Sequence, residues 1–161
     1  VTGTLITPYG LRRYNDSFAE RNTNFFTLGP RVDYRAMEWL TVTLTYLYER
    51  GLADGHKDTQ FADDVSYYLH MVSAGTEVRI NRQWDLGFTY IHRRKTFTSG
   101  LAGDTHVGRF DATHQGIAEL RYHMSAAATV MLSFQYGKRT STNALRDFQD
   151  SILSIGGQYR F

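Results

Sequence analysis

The chain predicts an all-β fold, a transmembrane antiparallel up-and-down β-barrel, with eight strands in one domain covering residues 1–161. Three observations predict it. Apolar and polar residues alternate with period two along almost the whole chain, and the 3.6-residue helical period is nowhere sustained. Connections between the alternating segments are short and long in strict turn. The faces opposite the apolar ones carry charges with Thr, Ser, Gln and Gly, a set that suits a narrow barrel interior only where the outside is lipid.

The first strand, near 1–14, has the weakest pattern, with Leu5, Tyr9 and Leu11 as its apolar face. The second, 23–36, alternates through Phe26, Leu28, Pro30, Val32 and Tyr34. The third, 39–51, is the clearest: Leu40, Val42, Leu44, Tyr46 and Tyr48 interleave with Thr41, Thr43, Thr45, Leu47 and Glu49. The fourth, 65–80, presents Val72, Ala74, Thr76, Val78 and Ile80, and the fifth, 84–98, presents Trp84, Leu86, Phe88 and Tyr90. Ala118, Leu120 and Tyr122 mark the sixth, 110–124; Val130, Leu132, Phe134 and Tyr136 mark the seventh, 128–142. The eighth, 151–161, runs through Leu153, Ile155, Gly157, Tyr159 and Phe161.

Met37-Glu38, Asn81-Arg82-Gln83 and Ser125-Ala126-Ala127 are the tight turns. Residues 17–22, 51–64, 100–109 and 143–150 are the longer, polar loops. An even strand count places both chain ends on the turn side.

Mean hydropathy is −0.41, and no stretch approaches the roughly 20 apolar residues of a spanning helix. Alternation hides barrel strands from such a scan. Eleven Tyr and ten Phe against two Pro suit strands. The absence of Cys excludes disulfides and thiol chemistry. A net charge of +2 gives no argument for nucleic acid as a partner. A start at Val1 predicts a mature form or a fragment. A β-sandwich or lipocalin-like barrel would turn the large apolar faces inward and expose the charged ones.

The last eight residues run Ser154-Ile155-Gly156-Gly157-Gln158-Tyr159-Arg160-Phe161. Ser154, then Gly156, then Tyr159 and the final Phe161 resemble the β-signal of bacterial outer-membrane β-barrel proteins. The resemblance covers the whole chain as an architecture and this octapeptide as a motif. It implies insertion by the barrel assembly machinery, an outer-membrane location, turns and both termini on the periplasmic side, and lipid and lipopolysaccharide as surroundings.

The outward parity gathers Tyr34, Trp84, Tyr122, Tyr159 and Phe161 at the turn side. Tyr46, Tyr48, Tyr68, Tyr90, Phe110 and Tyr136 gather towards the loops, as expected of two interfacial belts. Beyond the loop-side belt the same parity places Arg13, Arg50, Arg94 and Lys138, expected to meet lipopolysaccharide phosphates. The inward parity collects Arg31, Asp33, Arg35, Glu77, Arg79, Asp85, Arg93, Glu119, Arg121, Arg139 and Arg160 as lumen charges, together with Glu49, Lys95, Asp111 and His123. Such charges must pair or stay hydrated.

The function expected is a structural or interaction barrel with a charged, largely plugged lumen and long extracellular loops, meeting a partner protein through loops or lumen. The alternative is the carboxyl-terminal portion of a larger porin-like channel, a substrate pore or the sheath of a porin–cytochrome conduit. A lipid A-modifying enzyme needs His and Ser together on the lipid face, but His70 and Ser73 have opposite parity and His114 has no such Ser. No catalytic site and no cofactor are therefore expected. Asp54, His56, Asp58, Asp63 and Asp64 crowd one loop without EF-hand spacing, and His92, His106, His114 and His123 follow no ligand pattern, so no metal site is expected.

Overall fold

The computed structural model describes residues 1–56 and 63–160. Nine strands are present: β1 (Thr2–Ile6), β2 (Tyr9–Arg12), β3 (Thr23–Met37), β4 (Leu40–Ala53), β5 (Tyr67–Arg79), β6 (Trp84–Phe97), β7 (Phe110–His123), β8 (Ala128–Ser141) and β9 (Phe148–Tyr159). They form one antiparallel sheet in the order β1-β3-β4-β5-β6-β7-β8-β9, with β2 also on β3.

The count of nine arises because the predicted first strand is interrupted at Thr7-Pro8. Its register is unbroken: Leu5 faces Pro30, Tyr9 faces Phe26, and the Thr27 N–H donates to the Pro8 carbonyl at 2.9 Å. Proline has no N–H to return, so the ladder thins there. The other strands match the predicted segments, except that β9 begins at Phe148 instead of 151.

Side-chain chemistry explains the tight turns. The Asn81 amide oxygen accepts from the Gln83 and Trp84 N–H groups at 2.8 and 3.0 Å, an Asx turn. The Ser125 hydroxyl accepts from Ala127 and Ala128 at 3.2 and 3.1 Å. Short 3₁₀ segments, Asp16–Arg21, Asp54–His56 and Ala144–Arg146, lie in the long connections. Between β3 and β4 the register shifts at Arg35/Met37. At Gly29 a Cβ would stand 1.9 Å from the Tyr46 carbonyl oxygen, so only glycine permits β3 to lie this close to β4.

Burial runs opposite to that of a water-soluble protein. Only Ala53, Tyr67 and Phe97 are buried hydrophobic residues among those described, whereas Thr23, Asp64, Ser66, Asp85, Asp104 and Asp111 are buried. Leu44 is 55% exposed, Val72 49%, Phe88 50% and Leu132 44%, all on one face. The opposite face is concave and polar.

The sheet does not close. β1 and β9 are not neighbours in it, so β1/β2 and β9 are open edges. This departs from the closed eight-stranded barrel expected from the sequence. Towards the middle of the concave face Thr43, Thr45, Ser73, Gly75, Gly87 and Thr89 line a recess of about 360 Å³ together with Arg31, Glu77, Glu119 and Arg121. A closed interior of eight strands is filled by larger side chains.

Candidate functional site: two faces and a polar knot

On the exposed face, aromatic residues of the predicted outward parity lie together near both ends of the strands. Trp84 and Tyr122 lie 4.5 Å apart at the turn side, and Tyr48 stacks on Tyr68 at 6.1 Å towards the loops. Arg13, Arg50, Arg94 and Lys138 are all exposed. Arg50 lies over Tyr68 and Arg94 over Phe110, 5.6 and 5.0 Å from the ring centres, and Arg13 reaches Asn24 at 3.4 Å.

The sequence reading missed a histidine layer beside this rim. The Tyr46 hydroxyl is hydrogen-bonded to His70 Nδ1 at 2.8 Å, and the Tyr90 hydroxyl to His114 Nδ1 at 2.7 Å. The second pair repeats the first one hairpin further on, and His92 packs against His114 with 4.6 Å between ring centres. The signal was available: His70, His92 and His114 share the outward parity of three consecutive strands.

The concave face brings many of the predicted lumen charges together. Near the turns, Arg121 lies 3.1 Å from Glu77 and 2.5 Å from Glu119. Asp85 takes Arg79 at 3.5 Å and His123 Nε2 at 2.8 Å. Arg31 pairs with Asp33 at 2.9 Å, and the Thr43 hydroxyl donates to Asp33 at 2.6 Å. Arg93 reaches Met71 and Gln115, Arg35 the Glu38 carbonyl, and Arg139 the Arg146 carbonyl. Arg160 joins Arg82, Arg121 and His123 around a turn-side recess of about 640 Å³.

His123 Nδ1 stands 3.0 Å from the Thr129 hydroxyl, completing an Asp85–His123–Thr129 chain with the outline of a hydrolytic relay. Its hydroxyl sits on β8, whose backbone is laddered to β7 and β9 on both sides. Asp85 and Thr129 thus hold the His123 ring from its two nitrogens.

At the loop end, residues from three connections interlock. The Ser99 hydroxyl and the Asp64 N–H donate to Asp104 Oδ2 at 2.5 and 3.0 Å, while the His106 N–H donates to Oδ1 at 2.9 Å. His106 Nδ1 stands 2.9 Å from Asp104 and 3.0 Å from Asp63, which also takes Arg21 at 2.5 Å. Burial opposes ionisation of Asp104, but the Ser99, Asp64 and His106 hydrogen bonds outweigh it and hold the carboxyl down at about 2. Arg109 and Asp111 pair at 2.6 Å beneath this knot.

Asp63, Asp104 and His106 bring ligand-type atoms within 4.8 Å of one another, a grouping across two loops that spacing along one loop could not reveal. Their lone pairs already hold protons of Arg21, Ser99 and backbone amides, so the arrangement is a hydrogen-bonded knot. Asp54 is exposed, and the side chains of His56 and Asp58 lie outside the described residues.

Ser154, Gly156 and Tyr159 lie on β9, opposite Ser133, Met131 and Ala128, along the open edge; Phe161 is outside the described residues. No protein-family model, no curated protein and no solved structure matches the chain.

Proposed function

We propose that this chain forms part of the wall of a bacterial outer-membrane β-barrel wider than eight strands, with its apolar face in lipid and its concave face along a water-filled passage. The observation that carries the reading is an open sheet whose exposed face is apolar and whose sheltered face is charged. In water such a sheet would leave Leu44, Val72, Phe88, Leu132 and Phe134 exposed together, far beyond the scattered apolar residues of an ordinary surface. In a bilayer that face is solvated.

The edges support the width. β9 has 12 residues, so about a dozen outward-turned N–H and C=O groups would each cost a few kcal/mol unpaired in hydrocarbon. Further strands, pairing with β1/β2 and β9, satisfy them. A plugged eight-stranded peg would instead require β1 on β9. The small residues at the centre of the concave face leave room for water, and arginines dominate its turn-side end, which favours anions entering the passage.

The test is planar-bilayer recording of the purified protein under a salt gradient. Stable openings with a reversal potential on the anion side are expected. Membrane-inserted protein that stays silent would overturn the passage and leave a closed peg.

A further inference from the structure

The exposed face carries one feature that a plain lipid-facing surface does not need. Gly116 and Ala118 on β7, together with Val42 on β4 and Ala74 and Thr76 on β5, line a slot of about 470 Å³ whose surface is almost wholly apolar. Phe88 and Tyr90 on β6 and Phe134 and Tyr136 on β8 also line it and stand directly opposite Gly116 and Ala118 in register. All four rings are exposed, Phe88 and Tyr90 to 50%.

Gly116 is not explained by the backbone. Its φ is not positive, and a Cβ built on it would meet no atom within 4 Å. The flanking rings do not lean across it, so neither packing nor backbone conformation requires glycine there. The absent side chain simply keeps the slot open.

The loop-side end of the slot is cationic. The next outward residue of β7 is His114, flanked in register by His92 on β6 and Lys138 on β8; Arg94 follows one step higher on β6. The Tyr90 hydroxyl hydrogen-bonds His114 Nδ1, which leaves Nε2 as the ring's second hydrogen-bonding atom. Lys138 is exposed and has no carboxylate partner among the described residues. An apolar channel capped by ammonium, guanidinium and imidazole groups matches an amphiphile with an acyl chain and a phosphate head.

We propose that the β6–β8 outer face is a specific site for one lipid A-type molecule of the loop-side leaflet, its acyl chain over Gly116 and Ala118 and its phosphate between Lys138, Arg94 and His114. The inference rests on the membrane reading above and adds a defined lipid to it. It differs from a general attraction at the rim, because head and tail are held by neighbouring residues of the same three strands. Arg50, on β4, and Arg13, just past β2, take no part.

The test is titration of purified lipid A, with phosphatidylethanolamine as comparison, into the detergent-solubilised full protein, read by native mass spectrometry. One tightly retained lipid A is expected, with phosphatidylethanolamine displaced. Gly116→Leu fills the slot from a Cβ position with no atom within 4 Å, and Arg94→Gln with Lys138→Gln removes the head contacts; each is expected to weaken retention about tenfold. Lys138→Arg should retain it, and Arg13→Gln should change nothing. Heat-modifiable electrophoretic mobility shows that each variant is folded. Equal retention of lipid A by the wild type, Gly116→Leu and the double variant overturns this site alone. Recovery of the protein in the aqueous phase without detergent overturns the membrane reading beneath it.

Discussion

Leu132 and Ser133 are adjacent on β8 and point to opposite faces, so one arginine placed at each reads the solvent on either side of the sheet. Leu132 is 44% exposed, midway between Ala128 at the turn and Lys138 at the rim. By exposure alone, Leu132→Arg is a surface change and should cost within about 0.5 kcal/mol in water. At the middle of a bilayer an outward arginine costs about 2–4 kcal/mol, roughly thirtyfold to several hundredfold in the folding equilibrium. Ser133→Arg goes to the concave face opposite Glu119, where a cation finds an existing carboxylate, and should stay within about 0.5 kcal/mol. The assay is reversible denaturant unfolding of the protein in lipid vesicles, followed by tryptophan fluorescence. A difference between the two variants below about 0.5 kcal/mol would refute the assignment of faces.

Other outcomes follow from particular contacts. Gly29→Ala drives a Cβ against the Tyr46 carbonyl and should destabilise by about 1–3 kcal/mol, whereas Gly116→Ala meets open space and should be neutral or stabilising, both read from unfolding midpoints. Arg121→Met leaves Glu77 and Glu119 facing each other; with Glu77 half exposed the loss should be about 1–2 kcal/mol, short of the cost of a fully buried pair, and the reversal potential should move towards cations. Asp104, held at about 2 when folded against an ordinary 3.8, contributes its full stabilisation above pH 4 and loses it as pH falls towards 2. Protection factors for hydrogen exchange at the Asp64 and His106 amides should therefore fall over that window, and Asp104→Asn should remove that loss. Unchanged protection factors between pH 5 and 2 would count against the knot.

Strand positions were legible because each face has one chemistry from turn to loop, as in β4, where Leu40, Val42, Leu44 and Tyr46 oppose Thr41, Thr43 and Thr45. The tight turns were legible from Asn81 and Ser125, whose side chains stand in for backbone acceptors. Closure was not. Period-two alternation reports which face a residue takes and carries nothing about whether β1 meets β9, which depends on curvature summed over every strand. The break at Pro8 was equally invisible to alternation, since the register runs on through it. The Asp63–Asp104–His106 knot joins loops 40 residues apart, and the slot over Gly116 is made by several strands; both are properties of register, which parity within one strand does not encode. The outward histidines were within reach of the same parity argument that found the tyrosines.

The central claim is that one face of this sheet meets lipid and the other meets water in an open passage. The chain has no cysteine, so single cysteines report without background. Cysteines placed one at a time from Val130 to Tyr136 should alternate: Met131, Ser133 and Gln135 labelled by a membrane-impermeant thiol reagent, and Val130, Leu132, Phe134 and Tyr136 protected from it but quenched, when carrying a fluorophore, by brominated lipid. Labelling of both sets, or of the even set alone, would contradict the account.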